Sequence, residues 1–393
     1  MNKKKRQKVP KNGDWSKLCP DVLRKIFETL SSPVDSHRAK IVCSGWYSVW
    51  KTCAKRPPCP LRIIHQGDSP TLGKGNRKLV GLFQHRSYCM ASSGNWLLMV
   101  ELRLKFYIYN LLTKERIDLP SMESQILGGQ VRFKPGREYF HGYLVGPSRR
   151  DKVPFDYEAV EWEKSLAVLW VNDTTGDYVV AWTFIQKYLF SYMKGDGFWR
   201  DLNSNGKSLV LFDMACEDSM LYLLTIDHHI KIFNFFGDIF TGKQNRYWGR
   251  PFNFVAQPWE YVWKRKMVIR RSGEVLIVLS LKEKVKKEEK LLFYIFKMNL
   301  ESCKWERVYS IGDEMLSFGR GVTVPLALKD LGDGIKSDSI YFVDEDVWPD
   351  HKDHDHRVSN CGVFDIATSK IEWPKKIYCF INKTHWFVRG VAY

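Results

Sequence analysis

Residues 14–53 read DWSKLCPDVLRKIFETLSSPVDSHRAKIVCSGWYSVWKTC, and this stretch decides how the front of the chain folds. Its first apolar residues recur at i, i+3, i+4 and i+7, which places four side chains on one helical face: Leu23, Ile26, Phe27 and Leu30. Pro20 suits the first turn of that helix, where a missing amide hydrogen costs nothing. The sequence therefore predicts a first helix beginning near residue 20.

Two more short helices are predicted in the same stretch. Ser32 is a good N-cap, with Pro33 at the first helical position and Asp35 three residues on. A third helix is indicated by apolar residues at i, i+4, i+7, i+8 and i+11: Val42, Trp46, Val49, Trp50 and Cys53. Forty residues are too few to bury so many large side chains among themselves. We expect another protein to cover part of this surface, or, as the alternative, the domain that follows.

This stretch resembles the F-box, a short helical motif that docks on the Skp adaptor of SCF ubiquitin ligases. The order of its anchors carries the resemblance: Leu18, Pro20, Leu23, Ile26, Phe27, Leu30, Val34, Val42, Trp46 and Trp50. The resemblance implies that these ten residues form an adaptor-binding F-box, shared between contacts to the adaptor and packing between helices. It also implies a cullin scaffold as a partner reached through the adaptor. Buried aromatic and aliphatic anchors usually dominate such interfaces.

The net charge of +17 on the 393 residues is concentrated at the front of the chain. Residues 1–60 hold 14 Lys or Arg and 4 Asp or Glu, a net +10, which leaves +7 for the remaining 333 residues. We expect residues 1–13 to be a disordered basic tail. Its run Lys3, Lys4, Lys5 and Arg6 is typical of a nuclear-import signal. A solvated tail without a targeting function is the alternative.

Cysteine usage and hydropathy indicate the compartment. The nine cysteines are odd in number, scattered, and form no C-x-x-C pair, which favours free thiols in a reducing environment. No apolar run approaches the roughly 18 residues of a membrane helix, and no secretory apolar segment follows the basic start. We therefore expect a protein of the nucleus, the cytoplasm or both, without a membrane partner.

The pattern changes after Cys53, where the breaker cluster RPPCP occupies residues 56–60. We place the helical module at residues 14–55 and a β-rich domain at residues 60–393. Short runs rich in aromatic and β-branched residues predict strands there. The clearest runs are Trp96–Val100, Lys105–Leu111, Tyr178–Phe184, Met220–Ile226, Ile230–Phe235, Glu274–Leu281 and Leu291–Lys297.

One hairpin pattern recurs along this domain: an aromatic or aliphatic strand, a polar turn, and a strand with a Trp or a branched residue. It is found at residues 106–120, 189–199, 292–305 and 362–373. Repeated hairpins of this kind favour a β-propeller, because radial packing leaves only short protected edges. At about 45–50 residues per blade, we predict six or seven kelch-like blades. A pair of β-sandwiches is the structural alternative.

Nearly the whole chain resembles plant F-box proteins of the KIB type, which carry a propeller-like C-terminal domain. The resemblance is carried by the N-terminal module, by Ser339–Val343 with Asp344 and Asp346, and by Cys361–Asp365 with Trp373 and Pro374. The fold class it implies is mainly β with a small N-terminal α module, namely a three-helix F-box followed by a β-propeller.

Candidate catalytic and metal sites are sparse. The run Asp350–His356 is rich in metal-ligating residue types, but a solvated turn explains it better than a metal site with no fixed surroundings. His228 and His229 are better explained as turn or core histidines than as paired ligands, because in a strand they would point to opposite faces. Asp344–Asp346 reads as an acidic turn, and Lys282–Lys290 as an exposed hairpin tip of mixed charge. We therefore expect no cofactor and no catalytic group.

The leading hypothesis is a substrate-recruiting subunit of an SCF-type ubiquitin ligase. In it the helical module holds the Skp-type adaptor, and the β-domain holds a target protein that the sequence does not identify. The competing hypothesis is a nuclear nucleic-acid-binding protein that uses the basic tail and the β-domain surface, with binding that falls steeply as salt rises.

Overall fold

The computed structural model describes most of both predicted regions. The described residues are 15, 18–29, 38–53, 61–66, 69–73, 87–101, 103–111, 113–134, 137–145, 152–158, 165–173, 175–184, 188–202, 210–217, 219–235, 247, 249–270, 272–285, 288–318, 324–327, 336–343, 361–373 and 384–387. The chain divides into two compact units. The first is Met1–Arg56 with Leu112–Lys114, and the second is Pro57–Leu111 with Glu115–Tyr393.

The first unit contains helices α1 (Pro20–Thr29) and α2 (Ser44–Cys53), with a further helical stretch at residues 38–40. Pro20 begins α1, as the first-turn preference of proline predicts. The helical residues 38–40 lie between the predicted starts of the second and third helices, and the predicted start of the second helix at Ser32 is outside the described residues. The predicted third stripe is wrong at its first residue. Val42 lies in the turn before α2, because the helix begins only at Ser44.

The second unit is built of sheets in which neighbouring strands are antiparallel, except for one parallel pair in blade 5. Blade 1 contains β3 (Ser87–Ser93), β4 (Trp96–Glu101), β5 (Lys105–Asn110) and β6 (Arg116–Asp118). Blade 2 contains β10 (Ala167–Asn172), β11 (Asp177–Phe184), β12 (Tyr188–Met193) and β13 (Arg200–Asp201). Blade 3 contains β14 (Leu211–Glu217), β15 (Met220–Thr225) and β16 (Ile230–Asn234). Blade 4 contains β17 (Glu260–Ile269), β18 (Val275–Val285), β19 (Glu288–Asn299) and β20 (Lys304–Val308).

Blade 5 has the strand order β22-β21-β23-β24-β25. Its strands are β21 (Glu314–Phe318), β22 (Val324–Ala327), β23 (Ser339–Val343), β24 (Cys361–Asp365) and β25 (Lys370–Glu372). Two smaller sheets complete the unit. One contains β1 (Leu61–Gln66), β2 (Ser69–Gly73) and β26 (Thr384–Phe387), and the other β7 (Ile126–Lys134), β8 (Arg137–Val145) and β9 (Lys152–Glu158). A short 3-10 helix, Met122–Ser124, precedes β7.

The five blades adjoin in chain order: β3 lies beside β10, β10 beside β14, β14 beside β17, and β17 beside β22. Blades 1 and 2 contact each other directly although β7–β9 lie between them in the chain, so β7–β9 are an excursion. The predicted six or seven blades are therefore wrong, since five are formed by the described residues. The estimate divided the chain evenly and did not allow for β7–β9 or for long connections.

The kelch-like type conflicts with blade 5. There β21 and β23 pair in parallel, so the chain must cross over between Phe318 and Ser339 instead of turning back through a tight hairpin. In contrast, all four predicted hairpins are confirmed, as the pairs β5–β6, β12–β13, β19–β20 and β24–β25. Local alternation therefore predicted the hairpins correctly but not the way the last blade is connected.

The core of the propeller unit lies between the blades and is rich in aromatic rings. In blades 1 and 2, the ring of Trp182 lies 4.6 Å from that of Phe106 and 6.5 Å from that of Trp199. The indole of Trp199, at the end of the second predicted hairpin, donates a hydrogen bond to the Pro120 carbonyl (2.9 Å). The recurring tryptophan thus fills the core and satisfies its one polar atom there.

Blade 5 packs on blade 4 through a second aromatic group. The Phe293 ring lies 5.1 to 5.3 Å from the rings of three phenylalanines: Phe318, Phe342 and Phe364. Gly362 is required at this place, because a Cβ there would come within 2.3 Å of the Phe342 ring. The propeller unit is therefore held by dense packing between blades, which makes it a rigid platform for loops and strand ends.

Candidate protein-docking sites

The F-box module has a small core of its own. Leu23 and Phe27 from α1 pack on Trp46 and Val49 from α2, and each of these four side chains has at most 9% of its surface exposed. The rings of Phe27 and Trp46 meet edge to face with centroids 5.8 Å apart. Residues spaced by three or four along each helix thus meet across the pair, as their helical period predicts.

The Trp46 indole also anchors the segment before α1. Its Nε1 donates a hydrogen bond to the Trp15 carbonyl at 2.8 Å, which ties residue 15 to the second helix. Leu18, Ile26 and Trp50 are half-buried and pack against the same core. These contacts account for most of the predicted F-box anchors through packing inside the module.

Three of the predicted F-box anchors take the helix-packing part of the role that the anchors were predicted to share. Leu23, Phe27 and Trp46 are buried between the helices of their own module, so they form its core and have no surface left for a partner. Of the other predicted anchors, Pro20 and Val42 are exposed. Leu30 and Val34 lie outside the described residues, as do Lys3, Lys4, Lys5 and Arg6 of the predicted import signal.

The module also exposes large apolar side chains, and of these only Val42 belongs to a predicted helical stripe. We call this set the apolar F-box surface, and its members are between 42 and 69% exposed: Trp15, Val22, Ile41, Val42 and Tyr47. The sequence contains a signal for part of this set. Ile41 and Val42 are adjacent apolar residues, and two adjacent residues cannot both lie on one helical stripe. Tyr47 stacks on Trp50 with centroids 5.9 Å apart, so its ring is held in place.

The described residues include only some of the candidate chemical sites in the propeller unit. His228 and His229 lie in the turn between β15 and β16, as predicted. Asp344–Asp346 and Asp350–His356 are outside the described residues. Among the residues that the structure describes, no group of three His, Cys, Asp or Glu is placed to hold a metal ion.

Other predicted features of the propeller unit have a structural explanation. The lysine-rich run forms the end of the β18–β19 hairpin, where β18 ends at Val285 and β19 begins at Glu288.

Within the described part of the chain, no helix combines the length and hydropathy that a membrane span requires. Burial raises the pKa of the Cys89 thiol to about 12, so this cysteine is an inert core residue at neutral pH.

Charged residues on the inner strands of the blades are more informative. Lys266 on β17 is buried and donates to the Asp213 Oδ1 on β14 at 3.1 Å, and the Met267 amide donates to Asp213 Oδ2 at 2.8 Å. Burial raises the pKa of Asp213, and the Lys266 charge opposes that rise. This pair joins blades 3 and 4. It is fully occupied and offers nothing to a ligand.

Comparison with known proteins agrees with this architecture. Residues 15–57 match the model of the F-box domain, and residues 72–365 match that of the KIB1-4 beta-propeller. The chain is 79% identical over 395 residues to "Putative F-box protein At2g04810" of Arabidopsis thaliana, covering 100% of this chain and 98% of that protein. It is 45% identical to the Arabidopsis "F-box only protein 7", with 100% and 98% covered.

More distant matches extend the same relationship. "F-box protein KIB4" of Arabidopsis thaliana is 31% identical over 341 residues, covering 83% of this chain and 81% of that protein. Among solved structures, the N-terminal domain of Nup159 matches with a TM-score of 0.31 and 9% identity, covering 81% of this chain and 74% of that one, a likeness too low to establish a fold. The two family matches and these relatives show that the chain belongs to the F-box proteins with a KIB1-4 β-propeller.

Proposed function

We propose that this chain is the substrate-recruiting subunit of an SCF-type ubiquitin ligase. The F-box module docks on an Skp-type adaptor, and through it on a cullin scaffold, while the propeller holds a target protein. The chain supplies no catalytic group, because holding the target's lysines near the transferred ubiquitin requires only proximity. The observation that carries the proposal is the apolar F-box surface, which is left exposed beside an already formed core.

The energetics of this surface favour a protein partner. Apolar area left in water costs about 25 cal/mol per Å² relative to burial, and five large side chains are exposed on a module of about forty residues. So many exposed large apolar side chains on so small a module favour a protein partner that covers them. The buried residues Leu23, Phe27 and Trp46 hold the two helices in place, and the exposed residues make the contacts.

A charge placed in the apolar F-box surface tests adaptor docking. The double variant Ile41→Asp with Val42→Asp should reduce co-purification with an Skp-type adaptor at moderate salt by about 30-fold, since a central apolar anchor contributes about 2 kcal/mol. Ser48→Asp is the matched control, because Ser48 is an exposed polar residue on α2. Far-ultraviolet circular dichroism should be the same for all three proteins.

Two results would count against this assignment. Undiminished adaptor binding by the double variant would show that the apolar F-box surface is not the docking face. Equal loss in Ser48→Asp would show that added negative charge alone, and not the loss of apolar contact, weakens binding. Leu23→Asp provides a further comparison, because it should abolish binding by unfolding the module, with a loss of helical signal that the surface variants do not show.

We also propose that residues 2–11 carry the chain into the nucleus. Deleting them should shift a fluorescent fusion from the nucleus to the cytoplasm, and an unchanged distribution would reject the proposal.

The alternative function, nucleic-acid binding, predicts that a labelled single-stranded RNA binds with an affinity that falls steeply between 50 and 200 mM salt. Adaptor docking through apolar contacts should persist across that range.

A further inference from the structure

Blades 2 and 3 enclose a small cavity near their outer strands. Its volume is about 70 Å³, and both blades contribute to its lining. Blade 2 supplies residues of β12, of β13 and of the connection between them, and blade 3 supplies the end of β16. We call six of the lining residues the cleft site: Ser191, Met193, Asp196, Arg200, Phe233 and Phe235.

The strand register brings the two halves of the cleft site face to face. Ser191 pairs with Arg200 across β12 and β13, and Met193 follows Ser191 by two residues on the same strand, so all three share one face of blade 2. On blade 3, Phe233 pairs with Leu221, which packs in the same core cluster as blade 2. Phe233 therefore faces blade 2, on the side where the cavity lies.

The cavity runs from an exposed rim to a buried floor. Among the described residues, blade 3 has three strands where blade 2 has four, so β13 extends past the outer strand of blade 3. The Arg200 side chain on β13 is 50% exposed, whereas that of Asp196 is 10% exposed. Ser191, one strand further in, is 4% exposed. A ligand group can therefore enter beside Arg200 and reach Ser191.

The ion pair in the cleft site is balanced. The Arg200 guanidinium donates to Asp196 Oδ1, and the Met193 amide donates to Asp196 Oδ2 at 3.0 Å. The two opposite charges cancel, so the cavity favours a neutral polar group over a carboxylate or an ammonium. A guanidinium has five N–H donors and a carboxylate accepts about four hydrogen bonds, so both members keep capacity for a ligand.

The Ser191 hydroxyl is a further polar group of the cavity. Ser191 is almost fully buried and lines the cavity, and no other described residue hydrogen-bonds its hydroxyl. Buried hydroxyl groups generally have a partner, because leaving one unpaired costs free energy. The hydroxyl is therefore ready to bond a group that enters the cavity.

We propose that the cleft site binds the side chain of a glutamine of the target protein. A carboxamide has one acceptor and two donors in one plane. Its oxygen matches the donors of Arg200 and Ser191, and its NH₂ group matches Asp196. The rings of Phe233 and Phe235 can cover its methylene groups.

The size of the cavity agrees with this occupant. At about 10–15 Å³ for each water-sized group, a cavity of about 70 Å³ holds roughly five to seven of them. A glutamine side chain has five non-hydrogen atoms, whereas the side chains of tyrosine and tryptophan are larger than the cavity. The assignment of the glutamine to a ubiquitination target rests on the proposed function, whereas carboxamide binding itself does not.

Blocked amino acids test the cleft site directly, with Met193 as the reporter. In the full-length chain labelled with ¹³C at the methionine methyl groups, N-acetylglutamine methylamide should shift the Met193 signal to saturation. Met193→Leu identifies that signal among those of the ten methionines. The glutamate and leucine analogues should bind at least about fivefold more weakly, since one adds an unbalanced charge and the other lacks the carboxamide hydrogen bonds.

Two variants separate the hydroxyl from the charge balance. Ser191→Ala should weaken binding of the glutamine analogue by about fivefold, because it removes one hydrogen bond. Ser317→Ala is the matched control, since Ser317 is 3% exposed and lies on β21 in blade 5. Asp196→Asn keeps an oxygen for the Met193 amide but leaves Arg200 unbalanced, so the preference should change from the glutamine to the glutamate analogue.

Several results would overturn the proposal. They are the lack of a saturable Met193 shift in the wild-type chain, and equal binding of the glutamine, glutamate and leucine analogues. An equal loss in Ser191→Ala and Ser317→Ala, or an unchanged preference in Asp196→Asn, would do the same. The signals of the other methionines should keep their positions in each variant, which shows that the variant is folded.

Failure of this proposal is distinguishable from failure of the proposed function. Ser191→Ala should co-purify with the Skp-type adaptor like the wild-type chain, because its change lies in the propeller unit. Glutamine binding without adaptor binding would leave the cleft site standing and reject the ligase subunit. Adaptor binding without glutamine binding would reject only the cleft site.

Discussion

The F-box module and the propeller unit differ in how completely they bury their apolar side chains. The module buries four side chains fully and leaves the five members of its apolar surface exposed. The propeller unit packs two large aromatic and aliphatic clusters between its blades. The buried fraction of a chain rises with its size, so the small module leaves a larger share of its apolar side chains exposed than the propeller unit does. The exposed residues of the module, and not the buried part of its helical stripe, are therefore the ones with surface left for the proposed adaptor.

The two units also differ in how they use buried polar groups. In the propeller unit, the Lys266–Asp213 pair and the Trp199 indole are satisfied across blades. In the module, the comparable contact is the Trp46 indole on the Trp15 carbonyl. We therefore expect substitutions in the propeller to cost stability through packing and charge, and substitutions in the module to cost adaptor binding as well.

The largest effect is expected at the buried ion pair between blades 3 and 4. Asp213→Ala leaves Lys266 buried without its carboxylate, so the free energy of unfolding should fall by about 3–5 kcal/mol. Urea denaturation followed by tryptophan fluorescence measures this. The double variant Asp213→Leu with Lys266→Met should recover most of the loss, and an unchanged midpoint in Asp213→Ala would contradict the pair's role.

A matched pair of leucines compares the two cores directly. Leu23 in the module and Leu223 in blade 3 are both at most 2% exposed, so replacing either by Ala should cost about 2–5 kcal/mol. That loss should unfold the small module at 25 °C but leave the propeller unit folded. Amide hydrogen exchange should then be fast throughout α1 and α2 in Leu23→Ala. Equal protection of these helices in both variants would show that their stability does not come from their own core.

A smaller effect is expected from the hydrogen bond that anchors residue 15. Trp46→Phe keeps most of the ring contact with Phe27 but removes the donor, so the module should lose about 1 kcal/mol. Amide exchange of α2 should quicken by about fivefold. Trp15→Phe is the control, because it keeps the carbonyl acceptor and changes only an exposed side chain. The same quickening in both variants would mean that the indole donor contributes nothing.

The smallest effect is a shift in the pKa of His228. Burial lowers this pKa below 6.5, the Arg265 and His229 charges lower it further, and Asp227 opposes them. Because the folded pKa is depressed, the contribution of His228 to stability is present above pH 6.5 and is lost as pH falls through the folded value. An NMR titration should show the pKa rising in Arg265→Gln. An unchanged value would place Arg265 away from the imidazole in solution.

Sequence reasoning succeeded where the pattern was local. The strand predicted at Leu291–Lys297 lies within β19, and the hairpin predicted at residues 362–373 is the pair β24–β25. Alternation of period two and turn residues act over a few positions, so the printed sequence contains the whole signal. The blade count and the parallel pairing of β21 with β23 depend on which distant strands meet, and no local pattern encodes that.

The functional sites show the same difference between what a local pattern predicts and what distant contacts decide. The helical period found the residues of the F-box, but it could not tell that Leu23 and Trp46 face each other's helix while Ile41 and Val42 face water. The charge pairing on β17 was missed altogether. Lys266 sits in a run of basic residues, and only the position of Asp213 on another blade decides that Lys266 is neutralised.

The sequence alone predicts that a short apolar helical module precedes a long series of β-hairpins. It can do so because the helical and strand periods depend only on neighbouring residues. Only the tertiary structure shows that the described residues form five blades, which F-box anchors are core, and that Asp213 neutralises Lys266 on β17. These depend on residues brought together from 30 to 80 positions apart, as Trp46 with Trp15 and Trp199 with Pro120 show. Burial and pairing are properties of those distant contacts, and they arise only when the chain folds.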